Sequence, residues 1–328
     1  MRAPSFWWRR AGVAAGLMAP FAAVYGMIAA ARLGRPGVAP GIPVMCIGNL
    51  TVGGAGKTPT ALAVARLLAA AGERPVFLSR GYGGRLAGPV QVDPRRHGAT
   101  DVGDEPLLLA RAAPAIVARD RVAGARAAVA AGATVIVMDD GFQNPSLRKD
   151  AVLLVIDGRR GIGNGRVLPA GPLRAPLAHQ LARADAILVI GEAPAAAAVM
   201  AAARGLGLKV FHGRLTPDPA AVAAVGARKV LAFAGIGDPD KFFAMLAEAG
   251  IEAPIRRAFS DHHGYTPEEA AGIAADAARH GLLPLTTEKD FVRLSGTLAD
   301  CTQVLPVAIE VDEPEDFRRF VLGVVAAA

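Results

Sequence analysis

The stretch Ile42-Pro-Val-Met-Cys-Ile-Gly48 is a short apolar run of buried-strand type, and it passes directly into Asn49-Leu-Thr-Val-Gly-Gly-Ala-Gly-Lys-Thr58. A helical pattern, Ala61 to Ala71, follows. Strand, glycine-rich loop and helix stand in the order a phosphate cradle needs: backbone N–H groups wrap the phosphates, and the helix N-terminus adds partial positive charge. Thr51, Gly53, Gly54, Ala55, Gly56, Lys57 and Thr58 are the expected nucleotide-binding positions. Lys57 is expected to reach the β- and γ-phosphates of ATP, and Thr58 to hold Mg²⁺ through its hydroxyl. The strict pattern G-x-x-x-x-G-K-[ST] has Thr51 in place of its first glycine, and Gly53 and Gly54 are read as supplying the flexibility instead. The plainer reading, a glycine-rich turn that ends in Lys-Thr, is disfavoured by the flanking strand and helix.

A phosphate loop needs an acidic partner at the end of a neighbouring strand, and Thr134-Val-Ile-Val-Met-Asp139-Asp140-Gly141 offers one. Its apolar run reads as a buried parallel strand, with Asp139 and Asp140 expected to hold Mg²⁺ directly or through water in the crevice at the carboxyl edge of the sheet. Similar runs lie at 75–79, 115–118, 151–156 and 186–190, interleaved with helical patterns at 105–113 and 121–131. The fold class expected is therefore α/β: a P-loop NTPase-like, doubly wound, mostly parallel sheet. A second series follows, with strands at 229–234, 282–286 and 304–309 and helices at 240–249 and 313–325, which suggests a smaller α/β lobe. The expected organisation is an N-terminal membrane-associated helix at 1–35, a P-loop catalytic domain at 36–220 and a C-terminal lobe at 221–328, with the linker between 215 and 228 marked by Thr216-Pro-Asp-Pro219 and Gly226.

Residues 11–31 carry no charge and are flanked by Arg9, Arg10 and Arg32. A helix of that length just reaches across a bilayer, but nine of its positions are Ala and Pro20 interrupts it, so a helix lying in or dipping into the cytoplasmic leaflet is the favoured reading. Trp7 and Trp8 beside Arg9 and Arg10 read as an interfacial anchor. A cleaved signal peptide and a plain buried helix are the competing readings; export would remove the nucleotide site from its ATP. The 328-residue chain is 52% hydrophobic and 20% charged, which excludes disorder as its main state. Its formal charge of +7 is dispersed and aromatic residues make up 5%, which disfavours nucleic-acid binding. Two cysteines, Cys46 and Cys301, support neither a disulfide framework nor a structural zinc site and fit a reducing cytosolic compartment.

Two function classes remain: a kinase, and a membrane-associated P-loop ATPase that couples hydrolysis to a protein partner. No Asn-Lys-x-Asp element for guanine is present, and Val52 stands where partition-type ATPases carry a second lysine. Phosphoryl transfer to a hydroxyl requires a proton acceptor within hydrogen-bond reach, and Asp104, at a loop-to-helix start in Gly103-Asp-Glu-Pro106, is the candidate; helix capping is its plainer role. Arg80, Arg119, Arg121 and Arg174 are candidates for gripping a phosphorylated substrate, and Tyr82, between glycines, for stacking near nucleotide or sugar.

Ordered blocks along nearly the whole chain resemble the tetraacyldisaccharide 4′-kinase (lipid A 4′-kinase) family of Gram-negative bacteria. They are Gly48 to Pro59, Ser79-Arg-Gly-Tyr-Gly83, Gly103 to Pro106, Asp139-Asp-Gly-Phe-Gln143, Gly163-Asn-Gly165 with Leu168 to Arg174, Phe233 to Gly237, Asp261-His-His263 and Thr286 to Asp290. The resemblance implies transfer of the γ-phosphate of ATP, with Mg²⁺, to the 4′-hydroxyl of a tetraacylated disaccharide 1-phosphate at the cytoplasmic face of the inner membrane. It implies Asp104 as base with His262 as its orienting partner, leaving His262 against His263 open, and it places Gln143, Arg80 and Arg174 in blocks that touch substrate. Two departures stand out: Asn144 where the family commonly has His, and Ala175 where it commonly has an acidic residue.

Overall fold

A computed structural model describes residues 4–326; the first three residues of the expected segment 1–35 and the last two of the expected lobe 221–328 lie outside the described residues. The strands, in chain order, are β1 (Val44–Gly48), β2 (Pro75–Ser79), β3 (Val90–Gln91), β4 (Ala115–Val117), β5 (Val135–Asp139), β6 (Ala151–Asp157), β7 (Ala186–Ile190) and β8 (Lys209–Pro217). They continue with β9 (Val230–Ala234), β10 (Ile255–Ala258), β11 (Leu283–Thr287), β12 (Gln303–Leu305) and β13 (Val307–Val311). Two sheets result, with orders β13-β8-β7-β6-β1-β5-β2-β4-β3 and β10-β9-β11-β12.

The large sheet is parallel except at its two edges, where β3 runs antiparallel to β4 and β13 antiparallel to β8. Its central strands are continuous apolar runs because both faces are covered: Val44 and Cys46 of β1 point into one core, Met45 and Ile47 into the other. Helix Lys57–Ala70 covers the second face with Ala61, Val64, Ala65 and Leu68. The small sheet is parallel throughout and carries its own two cores, around Phe242, Phe243 and Leu246 on one face and Phe233 and Ile273 on the other.

The run 304–309, read from sequence as one strand, is divided at Pro306, which has no N–H for a ladder. Gln303–Leu305 completes the small sheet, whereas Val307–Val311 crosses back to pair with β8, and helix Pro314–Ala326 then buries Phe317, Val321 and Val324 against the helix Lys57–Ala70. The first run of large-sheet strands ends at Pro217, and residues 307–326, within the expected lobe 221–328, return to that sheet. The expected linker contains a helix of its own, Pro219–Val225, capped by Asp218.

The apolar N-terminal segment forms two helices, Val13–Leu17 and Ala19–Leu33, rather than one. Pro20 has no N–H to continue the first, and it suits the opening turn of the second. Among the described residues no helix is long and apolar enough to cross a membrane. Ala22, Gly26 and Leu33 face inward, Gly26 against Pro176 and Val167, while Leu17, Phe21, Val24, Met27 and Ile28 stand exposed. Trp7 ties this segment to the 163–176 loop: its Nε1 donates to the Pro169 carbonyl at 3.0 Å and its own carbonyl accepts from Asn164 N at 2.7 Å.

Candidate active site

The register of the central strands builds the site. Ile47 of β1 lies beside Asp139 of β5, so the glycine-rich loop leaves its strand where the carboxylate emerges from the next. Gly56 ends the loop at φ +89°, and a Cβ there would meet Ile190 Cδ1 at 2.5 Å. Only glycine turns the chain into the helix at that point. No side chain caps the helix start, which leaves its first N–H groups for an anion. Thr51, at the position of the missing glycine, pairs its backbone with Leu173, and Val52 N donates to Pro172 O at 2.9 Å. The loop is thus braced in an extended path that needs no glycine there. Asn49 Nδ2 closes it by donating to Gly53 O at 3.0 Å.

Lys57 is buried, with Nζ 3.8 Å from Asp140 Oδ2. Thr58 Oγ1 donates to Asp139 Oδ2 at 3.2 Å, and Asp139 Oδ1 is buried without a hydrogen-bond partner. Burial, with Glu105 nearby, pushes the Asp139 carboxyl up from its ordinary range. A hydroxyl beside a carboxylate with an orphaned oxygen is the donor set that a P-loop offers Mg²⁺, so the residues fit that ion. Among the described residues no group of three His, Cys, Asp or Glu is placed to hold a metal ion.

Asp140 adopts φ +53° and is gripped by Arg174, Nη1 to Oδ1 at 2.8 Å and Nη2 to Oδ2 at 3.2 Å. Burial opposes its charge, but Lys57 and Arg174 hold its carboxyl below the usual range. Arg174 also donates to Thr51 O at 3.1 Å and to Gln143 Oε1 at 3.1 Å, and Gln143 Nε2 donates to Asn49 O at 2.9 Å. These two residues, read from sequence as substrate contacts, brace the phosphate loop. Asn144 caps a turn, accepting from Ser146 N at 2.9 Å and Ser146 Oγ at 2.6 Å, and Ala175 is fully buried.

Asp104 opens the helix Asp104–Leu109, which packs on the helix Lys57–Ala70. Gly103 before it, at φ +89°, lies so near Tyr82 O that a Cβ would sit 2.5 Å away. Across from the small lobe, His262 Nδ1 stands 3.0 Å from Asp104 Oδ2, and Arg293 adds Nε at 3.1 Å and Nη2 at 2.9 Å to the same oxygen. Burial alone would raise the Asp104 pKa, but the His262 hydrogen bond and the charges of Lys289, His262 and Arg293 outweigh it and hold the carboxyl at about 2. His263 turns away, stacked on Phe259 with centroids 4.7 Å apart and bonded to Glu269 Oε2 at 2.8 Å. The geometry thus separates the two histidines, which sequence left open. Among the described residues the non-glycine positive-φ positions are Asp140 and His262, both in this site. Tyr82 is exposed beside the dyad, its ring centroid 5.7 Å from that of His262.

The other arginines lie at the carboxyl edge of β2 and β4. Arg80 and Arg119 are exposed; Arg121 is buried, bonded to Ala118 O, with Nε unpartnered. Burial and then the charge of Arg80 lower the Arg121 guanidinium to about 10. Sequence reasoning missed Lys289, Arg293, Glu105 and Asp261 as members of the site. Lys289 Nζ reaches Glu105 Oε1 at 3.3 Å and His262 Nε2 at 3.3 Å. The signal was available in part: after β11, Lys289 on the short helix Glu288–Phe291 and Arg293 just past its end stand four residues apart.

The family model for tetraacyldisaccharide-1-P 4′-kinase matches residues 14–326. The chain belongs to this kinase family. Relatives named tetraacyldisaccharide 4′-kinase include one from Rhodopseudomonas palustris (strain BisB18), 56% identical over 98% of this chain and 95% of its own length, and one from Methylobacterium nodulans, 58% identical over 96% and 93%. Among solved structures, an "apo" form of LpxK from Aquifex aeolicus in complex with ATP matches with a TM-score of 0.73 at 26% identity, covering 95% of this chain and 99% of that one. The 4′-kinase fold, a large mostly parallel sheet with a smaller lobe, is the one described above.

Proposed function

We propose that this member of the 4′-kinase family transfers the γ-phosphate of ATP to the 4′-hydroxyl of a tetraacyldisaccharide 1-phosphate, with Asp104 accepting the hydroxyl proton. The observation that carries the assignment of roles is the pairing of buried Asp104 with half-buried His262, held from the small lobe beside the helix that the phosphate loop feeds. The backbone from Gly53 to Thr58 wraps the β- and γ-phosphates, and Lys57 moves from Asp140 to the phosphate oxygens when nucleotide enters. Thr58 and Asp139 would hold Mg²⁺, which when bound would neutralise charge on the phosphates. Asp140 keeps Lys57 and Arg174 in place around the loop. With a pKa of about 2, Asp104 is a weak base, which suits a loose transition state in which the nucleophile loses its proton late. The free faces of Arg80 and Arg119 and the Tyr82 ring support a role in receiving the phosphorylated sugar.

The row of exposed Leu17, Phe21, Val24, Met27 and Ile28, with Arg9, Arg10, Arg32 and Arg35 exposed around it, supports docking on an anionic membrane surface, where a tetraacylated acceptor resides. The test is ATP turnover with and without detergent-solubilised tetraacyldisaccharide 1-phosphate. Label from the γ-phosphate appears on the glycolipid, and hydrolysis without acceptor stays low; vigorous acceptor-independent hydrolysis without transfer would instead favour a P-loop ATPase.

A further inference from the structure

The groups around His262 leave one arrangement of its ring protons. Nε2 faces Lys289 Nζ at 3.3 Å, and an ammonium has donors only, so Nε2 must present its lone pair. Asp261 Oδ1, the other candidate partner for that nitrogen, is 3.8 Å away, beyond hydrogen-bond reach. The proton of a neutral ring therefore sits on Nδ1 and is donated to Asp104 Oδ2 at 3.0 Å. Lys289 is itself fixed by Glu105 Oε1 at 3.3 Å, with Asp261 Oδ1 at 3.7 Å, so it spans the two lobes next to the dyad. The backbone is held too: His262 N donates to Gly235 O at 3.1 Å, in the left-handed conformation noted above. With Oδ2 of Asp104 filled by His262 and Arg293, the remaining oxygen, Oδ1, accepts only Glu105 N at 3.2 Å and keeps a lone pair for an incoming hydroxyl.

We propose that Lys289 is a positioning residue for phosphoryl transfer: by donating to Nε2 it locks His262 as the neutral Nδ1–H tautomer, which in turn aims Asp104 Oδ1 at the acceptor hydroxyl. This rests on the reading of Asp104 as the proton acceptor. Without Lys289 nothing holds the Nε2 lone pair in place, and the ring can exchange tautomers, which turns a bare Nδ1 lone pair toward the carboxylate. That spoils the orientation a base's partner supplies, as a wrong tautomer does in other acid–base pairs.

The chain has six histidines, few enough for long-range ¹H–¹⁵N spectra of histidine-labelled full-length protein at pH 8, with His262 assigned by the signal lost in His262→Asn. In the wild-type chain His262 shows a protonated Nδ1 and a bare Nε2; a protonated Nε2 there overturns the proposal without any lysine variant being needed. In Lys289→Met the Nδ1–H pattern is lost, and kcat for transfer falls about 10- to 100-fold with KM for ATP changed by less than about threefold. Lys289→Arg, which keeps a donor, restores most of both. A fall in kcat with the His262 tautomer unmoved would make Lys289 structural and overturn the proposal, whereas full transfer by Asp104→Asn would remove the underlying reading of the base instead.

Discussion

Arg293 Nε donates to Asp104 Oδ2 across 3.1 Å, joining two side chains separated by 189 residues and each less than a tenth exposed. The same guanidinium reaches Gly235 O, His263 O and Asp290 Oδ1 through Nη1 at 3.2 to 3.3 Å. It thereby ties the base on the large lobe to the turn that carries His262. Arg293→Met leaves Asp104 and Asp290 buried beside one charge fewer, and the expected cost is about 3–5 kcal/mol of unfolding free energy. Urea unfolding measures it; a loss below about 1 kcal/mol, the range of an exposed pair, would show the bond to be incidental.

The Asp104 carboxyl sits at about 2 in the folded chain against an ordinary 3.8, so its ion pairs add stability above the ordinary value and lose it as pH falls toward 2. The shift corresponds to about 2 kcal/mol at neutral pH, about half of which has gone by pH 3. The stability gap between the wild-type chain and Asp104→Asn, read by urea unfolding, is therefore widest near neutrality and narrows below pH 4. A gap that does not change between pH 6 and pH 3 would contradict this linkage.

Gly54 and Gly56 are two residues apart in the phosphate loop and differ in what a side chain would meet. A Cβ on Gly54 finds open space, whereas on Gly56 it faces both a positive φ and Ile190. Gly56→Ala is expected to lower unfolding free energy by about 1–2 kcal/mol or more, and Gly54→Ala to leave it unchanged within about 0.5 kcal/mol. Equal losses in the two variants, in the absence of nucleotide, would show that the turn geometry is not what selects glycine.

On the N-terminal helices, a triple Phe21→Ser, Val24→Ser, Ile28→Ser variant removes apolar surface that is already in solvent in the isolated chain. Sedimentation with phosphatidylglycerol vesicles is expected to show at least a tenfold weaker partition, about 1.4 kcal/mol or more, with unfolding unchanged. Raising salt should weaken the wild-type chain's binding further through its flanking arginines. Undiminished partition in the triple variant would remove this face as the membrane contact.

The parts of the site that sequence made legible are local: strand, loop and helix from Val44 to Ala70, and Asp139 at the end of β5, each announced by a continuous apolar run and its punctuation. Asp104 is legible as a carboxylate at a helix start; its partner comes from the family resemblance alone, with His262 and His263 left open, because His262 meets it from 158 residues away through the docking of two sheets. No periodicity encodes that contact, and His263 next door has the same chemistry with a different neighbour. Arg174 reads as facing substrate because arginine suits phosphate, and Gln143 because it stands in a family block; with the loop 163–176 folded back on the phosphate loop, Arg174 bonds Thr51 O and Asp140, and Gln143, after β5, bonds Asn49 O. The departure of residues 307–326 from the small lobe turned on Pro306 alone, within a run whose apolar pattern is otherwise unbroken.

In the proposed reaction Asp104 takes the proton of the 4′-hydroxyl while ATP is held elsewhere, by the phosphate loop. Single-turnover transfer of labelled γ-phosphate to tetraacyldisaccharide 1-phosphate, run on the wild-type chain and Asp104→Asn with ATP affinity measured in parallel, tests it most directly. The expected transfer rate in Asp104→Asn is lower by about 10²- to 10⁴-fold, with ATP affinity nearly unchanged. Transfer at the wild-type rate in Asp104→Asn, or a loss explained entirely by weaker ATP binding, would contradict it.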